Sequence, residues 1–236
     1  MSPEPWQAPE GHPVLESGAV HVWGAALDPE PGRLAALAAT LTADESARAA
    51  SCRLESQRRR FVAGRGQLRL LLGRYLGTDA SEVRFVYGPH GKPALFQGGG
   101  ATALSFNVAH SGERALFAVG RERELGIDLE RIRESVDHEA IAERFFAPGE
   151  AASLRRLPAR RRTEAFFACW VRKEAYVKAL GTGLSAPRGG FEAPIDSVPG
   201  FSVHALTPGP GLAAALVVQG SASTRCFSLE WDRRAP

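Results

Sequence analysis

Two short stretches about forty residues apart carry the side chains that chemistry at a phosphate would need: GIDLE at Gly126 to Glu130, and WVRKEAYVKALGTGL at Trp170 to Leu184. In an extended strand the side-chain period is two, so Asp128 and Glu130 project from one face and Leu129 from the other. Two carboxylates that close repel each other unless a proton or a cation lies between them. The second stretch reads as a helix from about Thr163 to Leu180, with Thr163 as its N-cap and Gly181 as the left-handed residue that stops it. On that helix Phe167, Val171, Glu174 and Lys178 fall at spacings of four, three and four, so a carboxylate and an ammonium continue an apolar stripe. If the stripe packs against the strand, Glu174 becomes a third carboxylate. Three oxygen ligands without neighbouring His or Cys suit a hard ion such as Mg²⁺, with Mn²⁺ as a substitute. Lys173 and Lys178 would then offer charge to phosphate oxygens, and the ligand implied is a diphosphate held by metal and lysine for transfer at phosphorus. The plainer alternatives are a strand end that faces water and a surface Glu174–Lys178 pair worth roughly 0.2–0.5 kcal/mol. Lysine usage weighs against them: of 29 Lys and Arg residues only Lys92, Lys173 and Lys178 are lysine, and two of these lie in this helix.

A second group seeks anions. Lys92 sits in the turn GPHGKP, His110 in AHSG, and Arg53, Arg60 and Arg65 on helical segments upstream. Each arginine alone reads equally as part of a solvated helix face, and His110 as a satisfied loop histidine.

The elements that must position these residues are legible in outline. At 236 residues and 44% hydrophobic composition the chain has material for one large domain or two small ones. A formal charge of +3 is too weak to imply nucleic-acid binding, but it suits an anionic ligand or an acidic protein partner. Cys52, Cys169 and Cys226 are odd in number and far apart, which excludes a disulfide framework or zinc ribbon and points to a reducing, cytoplasmic setting. No signal peptide or membrane-spanning segment is expected, and flexible tails are expected at 1–13 and 232–236. Strands are expected at Ala19 to Leu27, Val83 to Tyr87, Leu104 to Gly112, Ala115 to Gly120, around Gly126 to Glu130, Phe201 to Leu206, Gly211 to Gly220 and Cys226 to Trp231. Helices are expected at Arg33 to Leu41, Ala43 to Leu54, Arg58 to Gly77, Glu139 to Phe146, Pro148 to Leu157 and Thr163 to Gly181. The order repeats, one long helix ending YLG and the other ALG. The fold expected is α+β in two pseudo-symmetric halves, 14–123 and 124–231, each a small antiparallel sheet packed on a long helix, with the active site between them.

Taken together, GKPAL at Gly91 to Leu95, FNVAHSG at Phe106 to Gly112, GIDLE, RFF at Arg144 to Phe146 and WVRKEAYVKALGTGL resemble, in order and spacing, the motifs of the 4′-phosphopantetheinyl transferases in their longer, two-half form. The resemblance runs from about Leu41 to Gly190. It implies an enzyme that moves the phosphopantetheine arm of coenzyme A onto a serine of an apo acyl or peptidyl carrier protein, releasing adenosine 3′,5′-bisphosphate. By similarity, Asp128, Glu130 and Glu174 would hold Mg²⁺ against the diphosphate, and Lys92 and His110 would contact coenzyme A. Arg53 and Arg60 would meet its 3′-phosphate, and Lys178 would neutralise charge on the leaving phosphate. Where the family usually reads SHSG this chain has Ala109, so one hydroxyl contact is missing or must come from backbone.

For the chemistry, Glu174 would take the proton of the attacking serine, directly or through a water, with Glu130 as the other candidate. The basic stretch LRRLPARRR at Leu154 to Arg162 is expected to help dock an acidic carrier. Use in polyketide and nonribosomal peptide assembly, within secondary metabolism, is expected by analogy to the longer members, and the protein is expected to act as a monomer. The competing readings are a noncatalytic protein that binds coenzyme A or a carrier, and a Mg²⁺-dependent hydrolase of the coenzyme A diphosphate.

Overall fold

The computed structural model describes residues 6–9, 11–96, 104–181 and 198–229. The end of the helix motif at 182–184, residues 230 and 231 of the last expected strand, and the expected tail at 232–236 lie outside these. The first half runs β1 (Ala19–Ala26), α1 (Pro31–Ala38), α2 (Ala43–Ala50), α3 (Glu55–Leu76), a 3-10 turn, β2 (Phe85–Tyr87), β3 (Pro93–Leu95), β4 (Leu104–Ser111) and β5 (Arg114–Arg121). The second runs β6 (Leu125–Arg131), α4 (His138–Phe145), α5 (Pro148–Arg156), α6 (Ala159–Leu180), β7 (Phe201–Leu206), β8 (Leu212–Gln219) and β9 (Ser223–Ser228).

The long helices end as their glycines require, with Gly77 at φ 67° and Gly181 at φ 69°. The start of α6 differs from expectation. Pro158, not Thr163, is the residue that precedes the helix, at φ −55°. Proline has that φ built in and gives up no N–H that a helix start could use, so the helix takes in Arg160 to Arg162.

Among the described residues two larger sheets form, β4-β5-β1-β9 and β6-β8-β7, with β2 and β3 as a separate hairpin. β9 runs parallel to β1, with Val20 opposite Thr224 and Trp23 opposite Phe227, so the last strand completes the sheet of the first half. The layers stack as α3, first sheet, second sheet, α6. Leu68, Leu71 and Leu72 of α3 pack on Trp23, Phe106 and Phe117. Val20, Val22 and Leu116 from the other side of that sheet meet Leu125, Ile127, Leu129 and Leu216 of the second. Val171, Ala175 and Ala179 of α6 then cover Ala215 and Val217. Strand alternation decides the rest: Leu125, Ile127 and Leu129 are spent between the sheets, which turns Gly126, Asp128 and Glu130 toward α6.

Where the sheets adjoin, β4 and β6 are bridged by side chains. Asn107 Oδ1 accepts from the backbone N–H of Ile127 at 3.0 Å, and Ser111 Oγ accepts from that of Arg131 at 3.0 Å. Equal steps of four on both strands mean that they run parallel. Side chains longer than a direct ladder bond hold this edge open while satisfying both donors.

Candidate active site

At Gly126 the backbones of α6 and β6 come into direct contact. A Cβ built there would lie 2.0 Å from the carbonyl oxygen of Ala175 and 2.3 Å from the nitrogen of Ala179. Only glycine lets the helix backbone sit directly on the strand. That approach brings one face of α6 over the acidic face of β6. Asp128 is 6% exposed, and Lys178 Nζ stands 2.7 Å from its Oδ1. Its Oδ2 is buried with no hydrogen-bond partner. Glu174, half-buried, has its pKa pushed up to about 6, first by burial and then by the charge of Asp128, with Lys178 partly relieving this and Glu130 adding to it. Glu130 Oε2 accepts a hydrogen bond from Ser111 Oγ at 3.0 Å. The four charged groups named from the sequence therefore share one electrostatic environment. Among the described residues no three His, Cys, Asp or Glu side chains are drawn together tightly enough to form a ready metal cage. The donor set nevertheless suits a hard cation: all ligating atoms would be carboxylate oxygens, one of them buried and unsatisfied, and the excess negative charge is already expressed in Glu174.

β4 separates this cluster from a cleft of about 560 Å³. Phe106, Val108 and His110 face α3, whereas Asn107, Ala109 and Ser111 face the second half. Arg48, Arg60, Arg65, Phe61 and His110 line the cleft with Gly112 at its edge. Arg60 is held 3.0 Å from Glu113. Arg65 stacks its guanidinium 4.9 Å over Phe85, with its Nη1 buried and lacking a hydrogen-bond partner. A positive cleft with apolar walls fits a phosphorylated ligand that also has a flat or aliphatic part.

Not every residue named from the sequence is here. Arg53 is exposed in the α2–α3 link and does not line the cleft, whereas Arg48, which the sequence reading passed over, does. Ala109 is 2% exposed within the core between the sheets, so only its backbone is available. Lys92 reaches across the halves, 2.8 Å from Glu124 and donating to the carbonyl of Ala179 at 2.8 Å, at the end of α6. Lys173 is a correction. It is 3% exposed, its Nζ pairs with Glu150 at 2.7 Å and lies 5.4 Å over the ring of Phe146, among α4, α5 and α6. Neighbours on a helix differ by about 100° in direction, so the residue before Glu174 does not share its face.

Comparison of the sequence with known proteins shows the family. Residues 25–121 match the family described as 4′-phosphopantetheinyl transferase, N-terminal, and residues 124–226 match the 4′-phosphopantetheinyl transferase superfamily. The chain is 42% identical over 214 residues to the 4′-phosphopantetheinyl transferase HetI of Nostoc sp., covering 88% of this chain and 90% of the relative. It is 38% identical over 125 residues to the 4′-phosphopantetheinyl transferase AcpT of Salmonella typhi, covering 53% and 60% of the two chains. To the 4′-phosphopantetheinyl transferase of Bacillus subtilis it is 31% identical over 133 residues, covering 56% of each. With the two halves matched in order and a relative matched over almost its whole length, the chain belongs to the 4′-phosphopantetheinyl transferase superfamily, in its two-half form.

Proposed function

We propose that this transferase takes coenzyme A as donor and the serine of an apo acyl or peptidyl carrier protein as acceptor, releasing adenosine 3′,5′-bisphosphate. The observation that carries this reading is the meeting of Asp128, Glu130, Glu174 and Lys178 where α6 crosses β6, beside a cleft rich in arginine and histidine. The nucleotide end, with its 3′-phosphate, belongs against Arg48, Arg60, Arg65 and His110, and the diphosphate at the carboxylate cluster. Asp128, Glu130 and Glu174 would hold a divalent cation such as Mg²⁺, which when bound neutralises diphosphate charge. Glu174 accepts the proton of the serine hydroxyl as its oxygen bonds to the β-phosphorus and the bond to the leaving phosphate breaks. The value of about 6 belongs to the metal-free site; a cation held on Glu174 lowers its basicity, so in the loaded site the proton reaches it through a water, with Glu130 as the other candidate. Lys178, tethered to Asp128, faces charge that builds on the leaving group.

The carrier docks toward the α5–α6 corner. Arg155 and Arg162 are engaged by Glu143 and Glu139, which leaves Arg156, Arg160 and Arg161 exposed to meet acidic side chains. Fourteen residues of helix, about 21 Å, separate Arg160 from Glu174, so this contact belongs to a part of the carrier away from the serine. The protein acts as a monomer, its two sheets covering each other's inner faces, and in a reducing compartment that suits three free cysteines.

The test is the intact mass of an apo carrier incubated with protein, coenzyme A and Mg²⁺. A gain of one phosphopantetheine on the serine, lost with Glu174→Gln, is expected. Adenosine bisphosphate released without a carrier would mean hydrolysis, and coenzyme A binding with no change in carrier mass would mean a binding protein; either replaces the proposal.

A further inference from the structure

The ion pair that removes Lys173 from the phosphate site has a counterpart in the other half. α3 and α6 are both 22 residues long, and every position of one corresponds to the other by an offset of 104. Lys173 thus corresponds to Arg69, and Gly181 to Gly77. Arg69 is 1% exposed and its Nε stands 2.6 Å from Glu45 Oε2. Glu45 occupies the third position of α2 and accepts from the N–H of Thr42 at 3.0 Å, closing the start of that helix. Glu150 does the same in α5, accepting from the N–H of Ala147 at 2.9 Å while it pairs with Lys173. In each half, then, a short helix presents one glutamate that caps its own first turn and clamps a buried cation midway along the long helix.

A buried pair of this kind is an uneconomical source of stability, because desolvating two charges offsets most of their attraction. What it does fix is direction. The carboxylate is immobilised by the cap, so a cation on α6 can reach it in one rotation of the helix only. In the first half the clamp joins α2, which carries Arg48, to α3, which carries Arg60 and Arg65. In the second the residue after the clamped cation is Glu174. We propose that Lys173 is a positioning residue for the transfer: through Glu150 it sets the rotation of α6 that turns Glu174 to Asp128 and Glu130. This rests on the reading that Glu174 serves the reaction.

The experiment compares Lys173→Met, Glu150→Gln and Lys173→Arg with the wild-type protein at a temperature where urea titration shows each to be folded. Carrier loading is measured for kcat and for KM of coenzyme A, and Mn²⁺ binding is measured by electron paramagnetic resonance without substrates. Lys173→Met and Glu150→Gln are each expected to lower kcat about 10- to 100-fold, with KM for coenzyme A changed less than twofold and Mn²⁺ bound at least fivefold more weakly. Lys173→Arg, which copies the cation of the first half, is expected to restore both readouts to within threefold. Arg69→Met is the matched comparison: destabilised in the same way, it is expected to raise KM for coenzyme A through the cleft its clamp supports and to leave Mn²⁺ affinity unchanged. Wild-type kcat and Mn²⁺ affinity in folded Lys173→Met would overturn the proposal, as would an equal loss of Mn²⁺ affinity in Arg69→Met. A rise in KM for coenzyme A in Lys173→Met with Glu150→Gln unaffected would overturn it too, since that pattern belongs to a direct phosphate contact. Failure of the wild-type protein to load any carrier would count against the proposed reaction instead, while the Mn²⁺ comparison would still judge the clamp.

Discussion

Replacing Gly126 with alanine should separate the helix from the strand at the point where the acidic cluster forms. The added Cβ would stand 2.0 Å from the carbonyl oxygen of Ala175, and separations below 3.0 Å are essentially never seen for real Cβ atoms, so the backbone must retreat by about 1 Å. Neither contact can be relieved by a side-chain rotation, because both are with the backbone of a helix held on its other flank by the Lys173–Glu150 clamp. Overpacking of this kind costs about 1–3 kcal/mol, and this instance belongs at the upper end. The catalytic cost is of similar size: a 1 Å misplacement of Glu174 and Lys178 relative to β6 is expected to lower kcat about 100-fold, about 2.7 kcal/mol. Urea unfolding followed by tryptophan fluorescence gives the stability term, and carrier loading at saturating coenzyme A gives kcat. Coenzyme A binding, lodged mainly against α3, should change little. A Gly126→Ala protein with the wild-type midpoint and wild-type kcat would refute the close-packing argument. A variant that lost stability but kept kcat would refute the link between packing and catalysis.

Glu174→Gln should abolish loading and yet stabilise the metal-free protein. The carboxyl titrates near 6 in the fold against 4.5 unfolded, so its contribution to stability is fully present below 4.5 and lost as pH rises through about 6. Discounted for solvent screening, the gain from the variant is about 1 kcal/mol at pH 8 and nil at pH 4, read from urea curves in a chelator; equal curves at pH 8 would contradict it. His21 should have the opposite signature. It is fully buried, bonded through Nδ1 to the Tyr75 hydroxyl at 2.7 Å, and its pKa is lowered to about 4 by burial and by Arg225 and His12. The stability it contributes is present above 6.5 and lost as pH falls through about 4, some 2 kcal/mol after screening, so His21→Gln should flatten the acid limb of a stability–pH curve. Reversing charge at Arg156, Arg160 and Arg161 together should raise KM for an acidic carrier about tenfold with coenzyme A affinity unchanged, and an unmoved carrier KM would remove the corner from the docking surface.

Much of the architecture was legible because it is written in local patterns. The apolar stripes and terminal glycines of α3 and α6 fix both helices, and the two-residue alternation of GIDLE fixes which side of β6 is acidic. Side-by-side assembly was harder to read. β3 is three residues long and starts with proline, below what periodicity can register, and the pairing of β9 with β1 depends on a partner just over two hundred residues away. Arg48 had no distinguishing mark among 26 arginines, 29 basic residues less three lysines; it matters because Glu45, one turn earlier, is clamped to Arg69. Lys173 was misplaced for the opposite reason. Adjacency to Glu174 suggested a shared role, although helical geometry alone separates their directions, and the glutamate that claims it, Glu150, was visible as the third residue after Ala147 at the start of a helix.

The parallel strand that finishes the first sheet also bears on biosynthesis. While the ribosome is still making β7 and β8, β1 has β5 on one side and a bare row of backbone donors and acceptors on the other. The first half can therefore collapse early but cannot seal itself until the final strand has been synthesised. Chains stalled or clipped before Ser223 would carry that raw edge into solution, where the nearest available strand belongs to another molecule.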